Sequence, residues 1–227
     1  MRPAITVLQL DTDFPRVAGD VGCAGSYLGD VQILRIPSAT VAKVVTSRPE
    51  TIDILPFEAA LSAAKGEIIT TSCGFLSYWQ NHLAARTENP FVSSSLIALD
   101  DLSQRYQPEE LIILTFDSNS LNTAHLGQHR SYASSIIGLP DSCHLRDVIS
   151  QNLGYLDTAL ASREICAHIA KYQTKAHRHI LLECTNLPPY KAALLKQTGL
   201  AITDILTVIE SARANTVQPD FLKGQTL

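Results

Sequence analysis

The sequence predicts an α/β fold with parallel sheets, in two similar halves related by a pseudo-twofold with the active site between them. Three observations lead there. Short apolar runs bounded by turn residues alternate with helical patterns along the 227 residues. The order of these elements repeats. A single cysteine stands at the same joint in each half, after a buried-type run and before a helical one: Cys73 in "TTSCGF" and Cys184 in "LECTN".

The apolar runs are residues 4–10, 67–70, 91–94, 111–116, 179–183 and 201–209. Each is short, and several are apolar on both faces, which suits strands of a covered parallel sheet. Helical spacing recurs between them. Residues 57–65 end at Gly66, a usual helix stop. Residues 76–86 put Leu76, Trp79 and Leu83 on one face. Residues 158–173 carry Leu160, Ile165 and Ile169, with Cys166 alongside as an ordinary core thiol. Residues 189–197 start at Pro189 and stop before Gly199.

The first strand runs into Asp11, and its counterpart runs into Asp117. The interval from Asp11 to Cys73 is close to that from Asp117 to Cys184, and a further strand follows each cysteine at nearly equal spacing. The halves then divide as residues 1–96 with 207–227, and 97–206. Ligands of open α/β sheets bind beyond the carboxyl ends of the strands. Asp11, Thr12, Ser72, Cys73, Gly74, Phe75, Thr115, Asp117, Cys184, Thr185 and Asn186 lie at or just past such ends.

Two thiols approaching from opposite sides suit acid–base work at carbon: one thiolate removes a proton and one thiol delivers one. A helix N-terminus behind each is expected to lower its pKa. Ser72, Gly74, Thr185 and Asn186 could cradle a carboxylate, or could simply cap helices. Asp11 and Asp117 read either as site residues or as strand-end turn residues. Arg16 could pair a carboxylate or lie on the surface. The glycine-bearing stretch 19–25 reads as a flexible loop over the site.

Composition narrows the class. A net charge of −4 gives no reason to expect nucleic acid or an anionic membrane as partner. No apolar run is long enough for a membrane helix, and the first residues turn polar too soon for a secretory signal. Five cysteines without a CxxC pair suit a reducing, cytoplasmic setting; Cys23 and Cys143 are assigned no role. His125 and His129 have metal-pair spacing, but no acidic ligand pattern accompanies them, so no metal and no cofactor are expected.

The stretches "LDTDFPRVAGDVG", "TTSCGF", "LTFD" and "ECTNLPPY" resemble the motifs of a branch of the aspartate/glutamate racemase superfamily, which also holds hydantoin racemases, maleate isomerases and arylmalonate decarboxylases. The resemblance spans nearly the whole chain. It implies two flavodoxin-like halves, catalytic cysteines at Cys73 and Cys184, substrate contacts from Asp11 and Thr12, and a carboxylate-binding segment at Thr185 and Asn186. Asn186 departs from the titratable residue that amino-acid racemases of the family carry there, and this points to a carbon acid more activated than glutamate or aspartate. The expected activity is a cofactor-independent racemase or epimerase acting beside a carboxylate or carbonyl. The alternatives are a maleate-type isomerase or a decarboxylase on the same scaffold, and a non-catalytic small-carboxylate binder. A small carboxylate is the expected partner, and a homo-oligomer is compatible with the chain.

Overall fold

The structure, a computed structural model, describes residues 2–224. Residues 1 and 225–227, at the two ends of the expected first half, lie outside the described residues. Eight strands of the described residues form two separate four-stranded sheets. The first contains β1 (Ile5–Gln9), β2 (Val31–Arg35), β3 (Ile68–Thr71) and β4 (Phe91–Val92), in the order β2-β1-β3-β4. The second contains β5 (Leu111–Thr115), β6 (Ile136–Gly138), β7 (His179–Leu182) and β8 (Ala201–Thr203), in the order β6-β5-β7-β8. All pairings within the two sheets are parallel, and the two orders match strand for strand.

Helices connect the strands, as parallel pairing requires. Between β2 and β5 lie α1 (Val41–Val44), α2 (Leu55–Leu61), α3 (Gln80–Ala84) and α4 (Leu99–Leu102). Between β6 and β8 lie α5 (His144–Gln151), α6 (Thr158–Tyr172) and α7 (Lys191–Thr198). One apolar cluster joins the two sheets: Leu8 and Ile69 of the first share it with Leu111, Ile113 and Leu181 of the second, together with Leu96 and Leu99. The other face of the second sheet, including Ile112, Leu114, Ile180 and Leu182, packs against Ile165 and Ile169 of α6.

The run 201–209 is not one strand. It is β8 followed by α8 (Ile205–Ala212). Asp204 divides them: its carboxylate accepts from the Thr207 backbone N–H at 2.9 Å, an N-cap that starts a helix and stops a strand. Ile205, Leu206 and Ile209 of α8 are fully buried against Ile5, Val7, Ile68 and Val92 of the first sheet. Burial of each contributes about 1.5–3 kcal/mol. The chain thus crosses back to cover the first half. A buried ion pair, Lys191 to Asp204 at 3.0 Å, ties α7 to this crossing. Two strands went unread, β2 and β6. Both are only partly buried and lie at sheet edges, so neither presents a continuous apolar run. No helix of the described residues is long and apolar enough to cross a membrane.

Candidate active site

β3 ends at Thr71 and β7 ends at Leu182. The chain then turns inward in both halves, and Cys73 and Cys184 line a single small cavity of about 30 Å³. Both thiols are buried. Thr12, Arg16, Ser72, Thr185 and Asn186 form the polar part of the wall, and Phe14, Phe75 and Phe116 with Leu10, Val41, Val45 and Ile149 form the apolar part. A larger groove of about 840 Å³ runs past Ser77, Asp101, Tyr106, Gly127 and Ser211, but neither thiol reaches it. The small cavity is therefore the candidate site: paired nucleophilic groups and convergent polar atoms mark a site better than volume does.

The halves clasp each other around it. The Thr185 hydroxyl donates to the Ser72 carbonyl at 2.8 Å, and the Ser95 hydroxyl donates to the Leu182 carbonyl at 2.7 Å. Ser72 Oγ accepts from the Leu10 backbone at 2.9 Å, which holds the two strand ends of the first half together. The loop after β1 closes over the top. Asn152, in left-handed conformation at the end of α5, accepts from the Asp13 and Phe14 backbone N–H groups at 2.7 and 3.2 Å. Phe14 is thereby fixed in the wall, and the Arg16 guanidinium lies 4.7 Å from its ring centroid. Arg16 also donates to Asp20 at 2.9 Å and to the Thr12 hydroxyl at 3.1 Å. Asp20 in turn accepts from Asn186 Nδ2 at 2.5 Å. Gly19 sits at φ +99°, and a Cβ there would meet Pro189 Cα at 2.9 Å, so the loop lies flat on the second half. The stretch 19–25 is thus a fastened cover.

Of the residues singled out from the sequence, Thr12, Arg16, Ser72, Cys73, Gly74, Phe75, Cys184, Thr185 and Asn186 line the cavity. Three do not. Asp11 turns outward to Arg35 at 2.5 Å and to the Ser38 backbone at 3.0 Å, and these hydrogen bonds hold its carboxyl below the usual range. Asp117 accepts from Ser120 at 2.6 Å, from the Asn119 backbone at 3.2 Å and from Arg146 at 3.4 Å, which makes it a turn residue. Thr115 is buried behind the wall and donates to Glu183 at 2.6 Å.

Asp20 and Glu183 complete the site and were not assigned to it from sequence. Strand alternation would turn Glu183 away from the side of Cys184. But β7 ends one residue earlier, and past a strand end alternation no longer governs. Its carboxyl is fully buried in the cavity wall, with Oε1 unpartnered among the described residues. Burial pushes its pKa up to about 7, against the lowering pull of Thr115.

The expected lowering of the thiol pKa values is corrected by the structure. Burial, followed by the charge of Glu183, pushes Cys73 up to about 12 and Cys184 well above its ordinary value. The backbone N–H of Phe75 at Cys73, and that of Asn186 at Cys184, pull the other way and lose. The reason is the enclosure of both thiols: burial outweighs the six-residue 3-10 turn after Cys73 and the three-residue one that follows Cys184. The two thiols also differ. Cys184 donates its proton to Asn186 Oδ1 at 3.7 Å and stands in the field of Asp20. Cys73 stands in the field of Arg16, which favours its thiolate.

No family model matches the chain. It is 29% identical over 237 residues to dimethylsulfoniopropionate lyase 5 of Emiliania huxleyi (strain CCMP1516), covering 96% of this chain and 47% of that protein. It is 29% identical to lyase 7 of the same organism, covering 92% and 66%. The chain thus spans between about half and two thirds of the length of these curated relatives. Among solved structures, a glycine-to-cysteine mutant of arylmalonate decarboxylase superposes with a TM-score of 0.55 at 11% identity, covering 98% of this chain and 94% of that one. Glutamate racemase of Bacillus anthracis superposes with a TM-score of 0.54 at 12% identity, covering 95% and 84%. Glutamate racemase of Francisella tularensis, in complex with D-glutamate, superposes with a TM-score of 0.52 at 12% identity, covering 99% and 84%. With its twin four-stranded parallel sheets and paired strand-end cysteines, the chain has the fold of the aspartate/glutamate racemase superfamily.

Proposed function

We propose that the protein is a cofactor-independent lyase that removes the proton α to the carboxylate of a small β-sulfonium acid, dimethylsulfoniopropionate or a close analogue, and expels the neutral sulfide. The observation that carries this reading is the mixed wall, part polar and part aromatic, of the cavity that holds the thiols. Arg16, Thr12, Ser72, Thr185 and Asn186 suit a carboxylate. Phe14, Phe75 and Phe116 suit a sulfonium, as aromatic faces suit other onium cations. The relatives named as dimethylsulfoniopropionate lyases support the substrate class.

Cys73 is the base in this reading. It has Arg16 to favour its charge, and a bound sulfonium adds a second cation beside it. Its thiolate takes the α-proton, the carbon–carbon double bond forms, and the carbon–sulfur bond breaks with its electron pair leaving on sulfur. The sulfide departs neutral, so no acid is needed on the opposite face. The cavity is smaller than such a substrate, so entry requires the 14–26 loop to lift off Asn186 and Pro189. Water is then excluded when the loop returns.

A racemase reading has the paired thiols in its favour, since inversion needs a donor opposite the base. One assay separates the two. The full chain is incubated with dimethylsulfoniopropionate in D2O, with headspace detection of dimethyl sulfide and NMR of acrylate. The same NMR follows α-deuteration of glutamate and aspartate. Sulfide release with little amino-acid exchange is expected. Amino-acid exchange at an enzymatic rate without sulfide release overturns the lyase reading.

A further inference from the structure

We propose that Glu183 and the two thiols form one acid–base unit that carries a single negative charge, with Glu183 accepting the proton that the base thiol must shed. The role as proton acceptor rests on the elimination reading; the shared charge does not. Glu183 immediately precedes Cys184, and its Oε1 lies against the residue that follows Cys73, since a Cβ built on Gly74 would collide with that oxygen. The carboxyl is therefore wedged between the two cysteine turns. Its second oxygen is tied to Thr115 at 2.6 Å, and Oε1 has no partner among the described residues.

The charges facing this unit come from one loop. Arg16 reaches the cavity wall from the loop after β1 and stands near Cys73; Asp20, on the same loop, stands near Cys184 and is itself paired with Arg16. These two offset each other, so the unit has no net counter-charge. Two anions side by side in a buried space are strongly disfavoured, which leaves room for one. Glu183 raises the pKa of both thiols, as a shared charge requires.

Elimination gives this arrangement a purpose. A racemase returns its proton to carbon and ends where it began. A lyase ends each turnover with an extra proton on its base, inside a closed cavity. The balanced cycle starts with carboxylate and two thiols. Glu183 takes the Cys73 proton; the thiolate takes the α-proton; sulfide leaves with its electron pair. The unit then holds one carboxylic acid and two thiols, and the acid loses its proton to solvent when the loop opens. One proton leaves per turnover, which is the stoichiometry of the reaction.

The test uses wild type, Glu183→Gln and Glu183→Asp, without substrate and then with dimethylsulfoniopropionate. Infrared titration of wild type should show one buried carboxyl ionising near pH 7 with no thiolate absorbance in the ultraviolet. In Glu183→Gln the thiolate midpoint should fall by roughly one pH unit or more, a tenfold change in ionisation constant. An unchanged midpoint, or a wild-type carboxyl ionising in the ordinary range, overturns the shared charge; the wild-type reading holds even if a variant misfolds. With substrate, wild-type kcat should rise through about pH 7 to a plateau. Glu183→Gln should lose about 10²-fold at neutral pH and climb with hydroxide without a plateau, and Glu183→Asp should restore part of it. A uniform loss with the wild-type pH profile would make Glu183 a packing residue and overturn its role as acceptor. A shifted thiolate midpoint in a protein that releases no sulfide would sink the elimination reading and with it the acceptor role, while the shared charge stands.

Discussion

Ser72 in the first half and Glu183 in the second occupy matching positions. Each donates its backbone N–H to the neighbouring strand, Ser72 to Leu8 at 3.1 Å and Glu183 to Leu114 at 2.8 Å, and each precedes a site cysteine. Ser72 turns its hydroxyl to the Leu10 backbone and adds no charge. Glu183 places a carboxyl beside both thiols. The backbone of the two halves is repeated, and the chemistry is not. A symmetric pair of thiols suits a reaction whose two directions are mirror images. An asymmetric environment suits a reaction that runs one way, with one base and a proton to discard.

The largest effect should separate the thiols. Cys73→Ser is expected to cost about 10³-fold or more in kcat for sulfide release, the upper part of the general-base range. Cys184→Ser should cost about tenfold, because its thiol donates to Asn186 and needs to do no more than fill the opposite wall. Headspace sulfide kinetics on both variants decide it. Equal, near-complete losses would restore the symmetry and favour racemase-type chemistry.

The next test concerns the joint between the halves. Two ion pairs of the described residues have both side chains nearly buried: Arg16–Asp20 over the site and Lys191–Asp204 where α8 crosses back. Lys191→Met leaves the Asp204 carboxylate buried without its cation and should destabilise the fold by about 3–5 kcal/mol. Lys191→Met/Asp204→Asn removes the stranded charge, keeps a capping oxygen on α8, and should recover part of that loss. Urea midpoints measure both. An unchanged midpoint in Lys191→Met would mean the crossing is held by the apolar face of α8 alone.

Stability should also carry the signature of Glu183 in its pH dependence. A carboxyl whose native pKa is raised holds its proton more tightly folded than unfolded. Its contribution is complete below the unfolded value of 4.5 and is lost as pH rises through about 7. The shift corresponds to about 3 kcal/mol. His125 and His179, both buried and lowered to about 4, act in the opposite sense: their contribution is present above 6.5 and lost as pH falls toward 4. Between about pH 4.5 and 6.5 the two histidines together outweigh Glu183, so unfolding free energy should rise from about pH 4 to a maximum near pH 7. Glu183→Gln should steepen that rise by removing the opposing carboxyl. A rise left unchanged in Glu183→Gln would mean that another group, and not Glu183, opposes the histidines.

What was legible in the sequence follows the same division. Cys73 and Cys184 could be found because an apolar run ending in cysteine is a local pattern, and it occurs twice. Their strands, and helices such as α6, follow from period and length. β2 and β6 carry no such pattern, because a half-exposed edge strand need not be apolar. Asp204 divided a run that read as continuous, since its capping role appears only once Thr207 is in place. Asp11 and Asp117 stood at the right strand ends, yet nothing local distinguishes a carboxylate facing the cavity from one facing Arg35 or Ser120. Asp20 reaches Asn186 across most of the chain, a contact that only the closed fold creates. The thiol pKa direction was missed for a similar reason: burial is a property of the assembled cavity, and it outweighs the short turns that follow the cysteines.

The smallest expected effect tests how finely the second half is tuned. Thr115 lies in β5 one residue past Leu114, the position that Gln9 holds past Leu8 in β1. Gln9 lies near the loop over the site, whereas the Thr115 hydroxyl donates to Glu183 at 2.6 Å and favours the ionised carboxyl. Thr115→Val keeps the shape of the side chain and removes that hydrogen bond. A bond of this kind to a charged acceptor is worth about 1.5 kcal/mol, so the Glu183 pKa should rise by about one unit from about 7. The acid limb of kcat should move to higher pH by the same amount, with the alkaline plateau little changed. The pH at which the Glu183 contribution to stability is lost should move with it, because both report the same carboxyl. Coincident shifts in activity and stability would identify Glu183 as the group behind both. A change in plateau height without a shift in the limb would mean that Thr115 packs the site and does not tune it.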